Sequence, residues 1–308
     1  MISIKKLGPG LLYAAAAIGV SHLVQSTRAG ADFGLQLILA VIIANLIKYP
    51  IFKVGPLYTS ITGKSLLDGY QQIGKFALPI VYLMTLLTMF TVQAAVTIVT
   101  AGLALNIFGL QISAPVMTLI LLLISGTILL VGKYNILDNF IKLIVIVLTL
   151  TTIASVVASS MGNFPKVVEP NIFDFNNSAH IFFLVALFGW MPAPMDVPIW
   201  HSMWTLEKKK SNDISPDDCL IDFKLGFIGT AFLAACFLAL GHFVMYRSGV
   251  SFAPQAARFS GQLIQMYSQA LGEWSKPLIS IAAFTTMFST TLTCLDAFPR
   301  LLGEADRL

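Results

Sequence analysis

Apolar residues gather along this chain in long stretches, separated by short polar and basic segments. A bilayer core about 30 Å thick needs roughly 20 mainly apolar residues in a helix. Eight stretches have that character, at about 8–30, 34–52, 76–106, 113–132, 137–161, 179–203, 222–246 and 276–301. They are too long for membrane strands and do not alternate apolar with polar positions, so helices are expected. The segment 253–271 is amphipathic and is expected to lie on the outer surface. No remaining segment is long enough to fold separately, so residues 1–308 read as a single transmembrane domain. The pattern predicts an all-α integral membrane protein of about eight spans.

Composition agrees. Of 308 residues, 56% are hydrophobic and only 11% charged, where a soluble domain carries roughly a quarter charged; the mean hydropathy is +0.82. A soluble enzyme, a disordered chain and a coiled coil are excluded. The formal charge of +4 is scattered between apolar runs, which argues against nucleic acid and for a role in orientation. With the amino terminus inside, 14 of the 19 Lys and Arg, Lys48 and Lys53 among them, fall on the inner side. Arg28, Lys166, Arg247, Arg258 and Lys276 fall outside. The segment 207–222, with its triple lysine and four aspartates, reads as a solvated cytoplasmic loop. Cys219, Cys236 and Cys294 are far apart and support neither a disulfide framework nor a metal site. No cleavage site follows Lys5 and Lys6, so the first stretch is a span and not a signal peptide. A bacterial inner membrane, with a cytoplasmic amino terminus, is the expected location.

Two of the eight stretches are damaged. The first, GPGLLYAAAAIGVSHLVQSTRAGADFG, carries Gly19, Ser21, His22 and Gln25 close to its middle. The sixth, HIFFLVALFGWMPAPMDVPIWHSMW, holds Gly189, Pro192, Pro194 and Pro198 within ten residues. Each interior proline removes a backbone hydrogen bond and clashes with the preceding turn, so the helix is expected to unwind near 191–197. Unwound backbone at membrane depth survives where it is buried in protein or lines a wet cavity. Asp196 lies in this break, and a carboxylate at the bilayer centre costs on the order of 3 kcal/mol. Broken helices five spans apart place a substrate site where they meet, with exposed carbonyls for cations. The residues point to a substrate or ion site there.

The opening stretch, GPGLLYAAAAIGVSHLVQSTRAGADFGLQLILAVIIANL, resembles the start of the NRAMP (natural resistance-associated macrophage protein) divalent metal transporters. TAGLALNIFG is similar to the end of that family's third helix, and Met191–Pro192 with His201–Ser202 to parts of its sixth. The resemblance implies the LeuT-type fold of two inverted repeats, the first over 1–161 and a partial second over 179–308. It implies transport of a divalent cation, Mn²⁺ or Fe²⁺-like or Mg²⁺, by alternating access. That ion is substrate, and no resident cofactor is expected.

The departures change the site. Where the family has Asp-Pro-Gly-Asn in helix 1, this chain has Gly19, Val20, Ser21 and His22. The family's Met-Pro-His becomes Met191-Pro192 followed by Ala193, or, aligned backward from His201, ends on Asp196. The expected ligands are Asp196 as the charge, His22 as nitrogen, Met191 or Met195 as the soft contact, and backbone near Gly19 and Ser21. With His22 turned elsewhere, the site becomes nearly all oxygen and suits a hydrated ion such as Mg²⁺. His201 matches a family histidine linked to proton movement, and its ordinary titration range suits a relay. The helix-3 stretch offers Gln93 and Thr97 and no carboxylate, so uncoupled or differently coupled transport is expected. Eight spans fall short of the ten in the LeuT core, which leaves room for an additional chain or a longer gene product. Alternatives are a permease for a small organic solute and a non-transporting membrane subunit. An intramembrane enzyme has no HExxH, nucleophile elbow or aspartate pair behind it.

Overall fold

A computed structural model describes residues 8–131, 134–162, 164, 166–211 and 215–308, with the side chains of 134–145 outside the description. Helices occupy all eight expected stretches. The first span is built from α1 (Pro9–Ala17), a π-helical stretch (Val20–Ser26) and α2 (Thr27–Phe33). Pro9 stands in the first turn of α1, where its missing N–H has no bond to lose. Helix α2 stops at Gly34, whose φ of 63° is the left-handed conformation glycine tolerates best. Helix α3 (Ile38–Thr62) follows, then the short α4 (Leu66–Ile73), α5 (Ala77–Phe108), α6 (Ala114–Val131) and α7 (Tyr134–Met161). The sixth span is interrupted as its prolines require: α8 (Ser178–Trp190) ends, residues 191–196 run without helix, and α9 (Val197–Ser211) begins. Helices α10 (Pro216–Val244), α11 (Ala256–Leu271) and α12 (Ser275–Arg307) complete the described chain. Among the described residues α3, α5, α6, α10 and α12 are long and apolar enough to cross a membrane by themselves.

The outside is as apolar as the core. Large apolar side chains such as Leu39, Leu46, Leu87, Phe90, Leu123 and Leu130 face outward, while Thr97, Thr100, Ser125, Thr230, Thr290 and Thr291 are buried. Hydroxyls and small residues hold membrane bundles together because apolar contact with lipid is as favourable as apolar contact with a neighbouring helix. The first span and α10 touch backbone to backbone. A Cβ added at Gly30 would stand 1.8 Å from the Leu238 carbonyl oxygen, and one at Gly10 would stand 2.1 Å from that of Asp222. Helix α11 buries Phe259, Leu263 and Tyr267, and packs against α5, α7 and α12, so its amphipathic face seals one end of the bundle. Arg28 joins it there, its guanidinium over the Phe259 ring at 4.9 Å and donating to the Ala253 carbonyl at 2.7 Å.

Two readings of the charged segments are corrected. Helix α3 continues past the expected end at residue 52, through Pro50 and Pro56 to Thr62, so Lys53 as well as Lys48 lies within the helix. Intramembrane prolines are tolerated where neighbouring helices re-satisfy the backbone. The segment 207–222 is not one solvated loop. Glu207 to Lys210 belong to the last turns of α9, and Asp222 is 3% exposed in α10. Its carboxylate accepts from the Gly10 N–H at 2.7 Å and the Gly8 N–H at 3.3 Å, at the amino-terminal end of α1. The free N–H groups and positive dipole end of a helix favour a carboxylate there. Asn212, Asp213 and Ile214 lie outside the described residues.

Candidate cation site between two broken helices

The two interruptions face each other across a small cavity. Ala16, Ala17, Val20 and Ser21 of the first span line one side, and Trp190, Pro194, Val197 and Trp200 of the sixth line the other. Val92 and Val96 of α5 and Thr290 and Cys294 of α12 close it. The room left for the centre of a water molecule is about 10 Å³, roughly one water's worth. The cavity is small and lined mainly by apolar side chains, with Ser21 and Thr290 as its hydroxyls.

Asp196 stands at the edge of the second break and is 7% exposed. Its carbonyl accepts from the Trp200 N–H at 3.2 Å, the first bond of α9, so the carboxylate sits at that helix's positive end. The side chain turns toward α5. One oxygen accepts from the Thr85 hydroxyl at 3.2 Å and the other from the Thr88 hydroxyl at 3.1 Å. The Thr88 hydroxyl also has the Met84 carbonyl within 2.9 Å, so its single proton can be redirected. Each carboxylate oxygen keeps lone-pair capacity beyond the one described bond.

His22 is fully buried in the π-helical stretch. Its Nε2 meets the Thr230 carbonyl of α10 at 2.9 Å. Its Nδ1 meets the Ser21 hydroxyl at 2.6 Å and the Ala17 carbonyl at 3.0 Å. The ring thus bridges the first break to α10, and both nitrogens are engaged. The Ser21 hydroxyl also reaches the Ala17 carbonyl at 2.5 Å. Gly19 lies against Thr290, and its carbonyl accepts from the Leu23 N–H at 2.9 Å.

The remaining candidates are dispersed. Met191 is fully buried in an apolar cluster with Val41, Ala44, Leu187 and Leu238, while Met195 is 42% exposed. His201 is 1% exposed in α9 and packs among aromatic rings. Gln93 donates to the Thr97 hydroxyl at 3.0 Å and to the Thr291 carbonyl at 3.3 Å. Among the described residues no three His, Cys, Asp or Glu side chains gather as a metal cluster. What the structure brings together is Asp196 with Thr85 and Thr88, and His22 with Ser21 and the Ala17 carbonyl, of which Ala17 and Ser21 line the cavity.

The Natural resistance-associated macrophage protein-like (Nramp) family model matches residues 10–303. This chain belongs to the Nramp family. An uncharacterized protein of Pasteurella multocida is 40% identical over 305 residues, covering 98% of this chain and 70% of the relative. Among solved structures, the manganese transporter of Eremococcus coleocola in complex with an aromatic bis-isothiourea substituted compound superposes with a TM-score of 0.71. It is 14% identical and matches over 98% of this chain. A mutant of that transporter gives a TM-score of 0.69 over 97% of the chain. This Nramp chain spans 65% of the length of the first of these structures and 64% of the second. The LeuT-type fold expected from the opening residues is the fold observed, and the chain is an integral membrane protein.

Thr85, Thr88 and Lys48 were not among the residues expected at this Nramp site. The threonines carry a faint signal, three positions apart and so on one helix face. Lys48 carries a louder one, a charge inside the apolar stretch VIIANLIKYPIF.

Proposed function

We propose that this chain carries a divalent metal cation across the membrane, held between the two broken helices with Asp196 as its charged ligand. One observation supports the reading above the rest. A buried carboxylate sits inside an interrupted membrane helix, at the positive end of α9 and on two hydroxyls, with its neighbours Pro194 and Val197 lining a small cavity. The family match and the manganese transporter neighbour agree with it.

The donors at hand are mainly oxygens: the Asp196 carboxylate, oriented by the Thr85 and Thr88 hydroxyls, and on the first span Ser21 with the backbone at Ala17 and Gly19. With the nitrogens of His22 engaged elsewhere, such a set favours Mn²⁺ or Mg²⁺ over softer ions. Soft contact from Met191 or Met195 would require the break to rearrange. Gln93 and Thr97, bonded to each other, do not titrate, which favours movement of the cation without a proton along α5. The basic residues at the end of α9 and beyond favour an amino terminus in the cytoplasm of a bacterial inner membrane. Alternating access would expose the cavity to each side in turn, with the bilayer and the ion as the partners required.

The test is Mn²⁺ uptake into proteoliposomes holding the parent chain, Asp196→Ala or Asp196→Asn, with Mg²⁺ as competitor. Uptake by the parent that both variants lose, and that excess Mg²⁺ suppresses, is the expected result. No uptake by a folded parent would remove the transport reading for this chain and bring the organic-solute and non-transporting readings forward.

A further inference from the structure

A lysine in the middle of a membrane helix is costly and usually has a carboxylate or a water-filled cavity to meet. Lys48 of α3 has neither a described ion-pair partner nor a place in the cavity lining. Its ammonium instead donates to the Phe188 carbonyl at 2.7 Å, the Gly189 carbonyl at 2.9 Å and the Ala193 carbonyl at 3.3 Å. An ammonium has three protons, and the three acceptors take all of them.

Those acceptors form a particular group. Phe188 and Gly189 close α8, where the carbonyls have no helical partner and carry the negative end of the dipole. Ala193 belongs to the unwound segment beyond, three residues before Asp196. The three oxygens therefore converge from both sides of the interruption onto one positive charge. Convergent carbonyls at a half-helix carboxyl end are how membrane transporters hold small cations.

We propose that this carbonyl cage is a monovalent-cation site which the chain fills with its own side chain. Lys48 is a tethered cation, a positioning residue that fixes the α8 end against the segment leading to Asp196 and spares the break a free co-ion. The inference concerns the break itself and stands apart from which substrate the chain carries.

If the charge is what matters, removing it should leave a vacant cage that a small dissolved cation can occupy. The experiment compares thermal unfolding midpoints of detergent-solubilised parent, Lys48→Ala, Lys48→Gln and Lys48→Arg in N-methylglucamine chloride, then with added K⁺, Na⁺ or methylammonium. Lys48→Ala and Lys48→Gln should unfold several degrees lower in N-methylglucamine. At least one of the three small cations should restore half or more of that loss, saturably. The parent and Lys48→Arg should not respond. Lys48→Gln keeps amide donors without charge and guards against an alanine variant that fails to fold. The proposal is overturned if Lys48→Gln matches the parent in N-methylglucamine, or if the folded variants respond to none of the three cations.

Discussion

Tyr13 stacks on His201, their ring centroids 5.6 Å apart and their planes 13° from parallel. The pair joins the amino-terminal half of the first span to the carboxyl-terminal half of the sixth, with Phe223 at 5.9 Å and Trp204 at 6.4 Å completing the aromatic surround. No described hydrogen bond reaches the buried His201 Nε2. Replacing a buried polar group that lacks a partner by an apolar one of similar shape is nearly neutral or stabilising. His201→Phe should therefore fold with a midpoint within a few degrees of the parent or above it, and should keep the pH profile of Mn²⁺ uptake. A flattened profile would return His201 to the role of proton relay.

The hydroxyls beneath Asp196 orient a ligand that would otherwise rotate. Partners one step removed from a metal typically change affinity 10- to 100-fold when lost. Thr85→Val with Thr88→Val should raise the half-saturating Mn²⁺ concentration by about that factor and leave the maximal rate within about twofold. An unchanged half-saturation in concentration-dependent uptake would mean that the carboxylate is held by something else.

His22 is placed to hold two elements together. Its removal leaves the buried Thr230 carbonyl unpaired, at a cost of about 1–3 kcal/mol. His22→Ala should lower the unfolding midpoint by several degrees and leave the ratio of Mn²⁺ to Mg²⁺ uptake within about twofold of the parent. A normal midpoint with a collapsed Mn²⁺ preference would instead identify the imidazole as a ligand.

Asp222 pins the start of α1, and Cys294 lines the cavity at 2% exposure. In a background with Cys219→Ser and Cys236→Ser, maleimide should label Cys294 slowly. Asp222→Ala, which releases the Gly8 and Gly10 amides, should accelerate labelling at least severalfold by reagent supplied from the α1 amino-terminal side. Equal rates from that side would separate the Asp222 contact from access to the cavity.

The close crossing at Gly30 gives a sharper prediction. An added methyl would meet the Leu238 carbonyl at 1.8 Å, which backbone cannot yield without moving α2 away from α10. Gly30→Ala should reduce the monodisperse fraction in size-exclusion chromatography and lower the midpoint more than Gly126→Ala, where an added methyl meets open space.

The sixth-span break and its aspartate were legible because three prolines and a charge are local facts. The first-span interruption was legible for a similar reason, its glycine, serine and histidine in an apolar run. The partners of Asp196 were not, because α5 is apolar almost all round and its sequence does not say which face meets the break. The contact of His22 with the Thr230 carbonyl, 208 residues away, was not legible either, because a backbone acceptor leaves no mark in a sequence. Asp222 was read as a loop charge, and Lys48 only as one more cation on the inner side. Hydropathy registers a charge but not its partners, and the folded chain sets both charges on backbone groups of another segment.

The glycine crossings on either side of the π-helical stretch have a mechanical meaning. Helices α1 and α2 are separate pieces, yet Gly10 meets α10 near Gly226 and Gly30 meets it near Gly241. One uninterrupted helix therefore acts as a splint across the fracture of the other. The two halves of the first span cannot swing independently while both crossings hold. Any tilt of α1 that opens the cavity must either unzip the lower crossing or drag α10 along, so the stiffness of α10 sets how far this fracture can hinge.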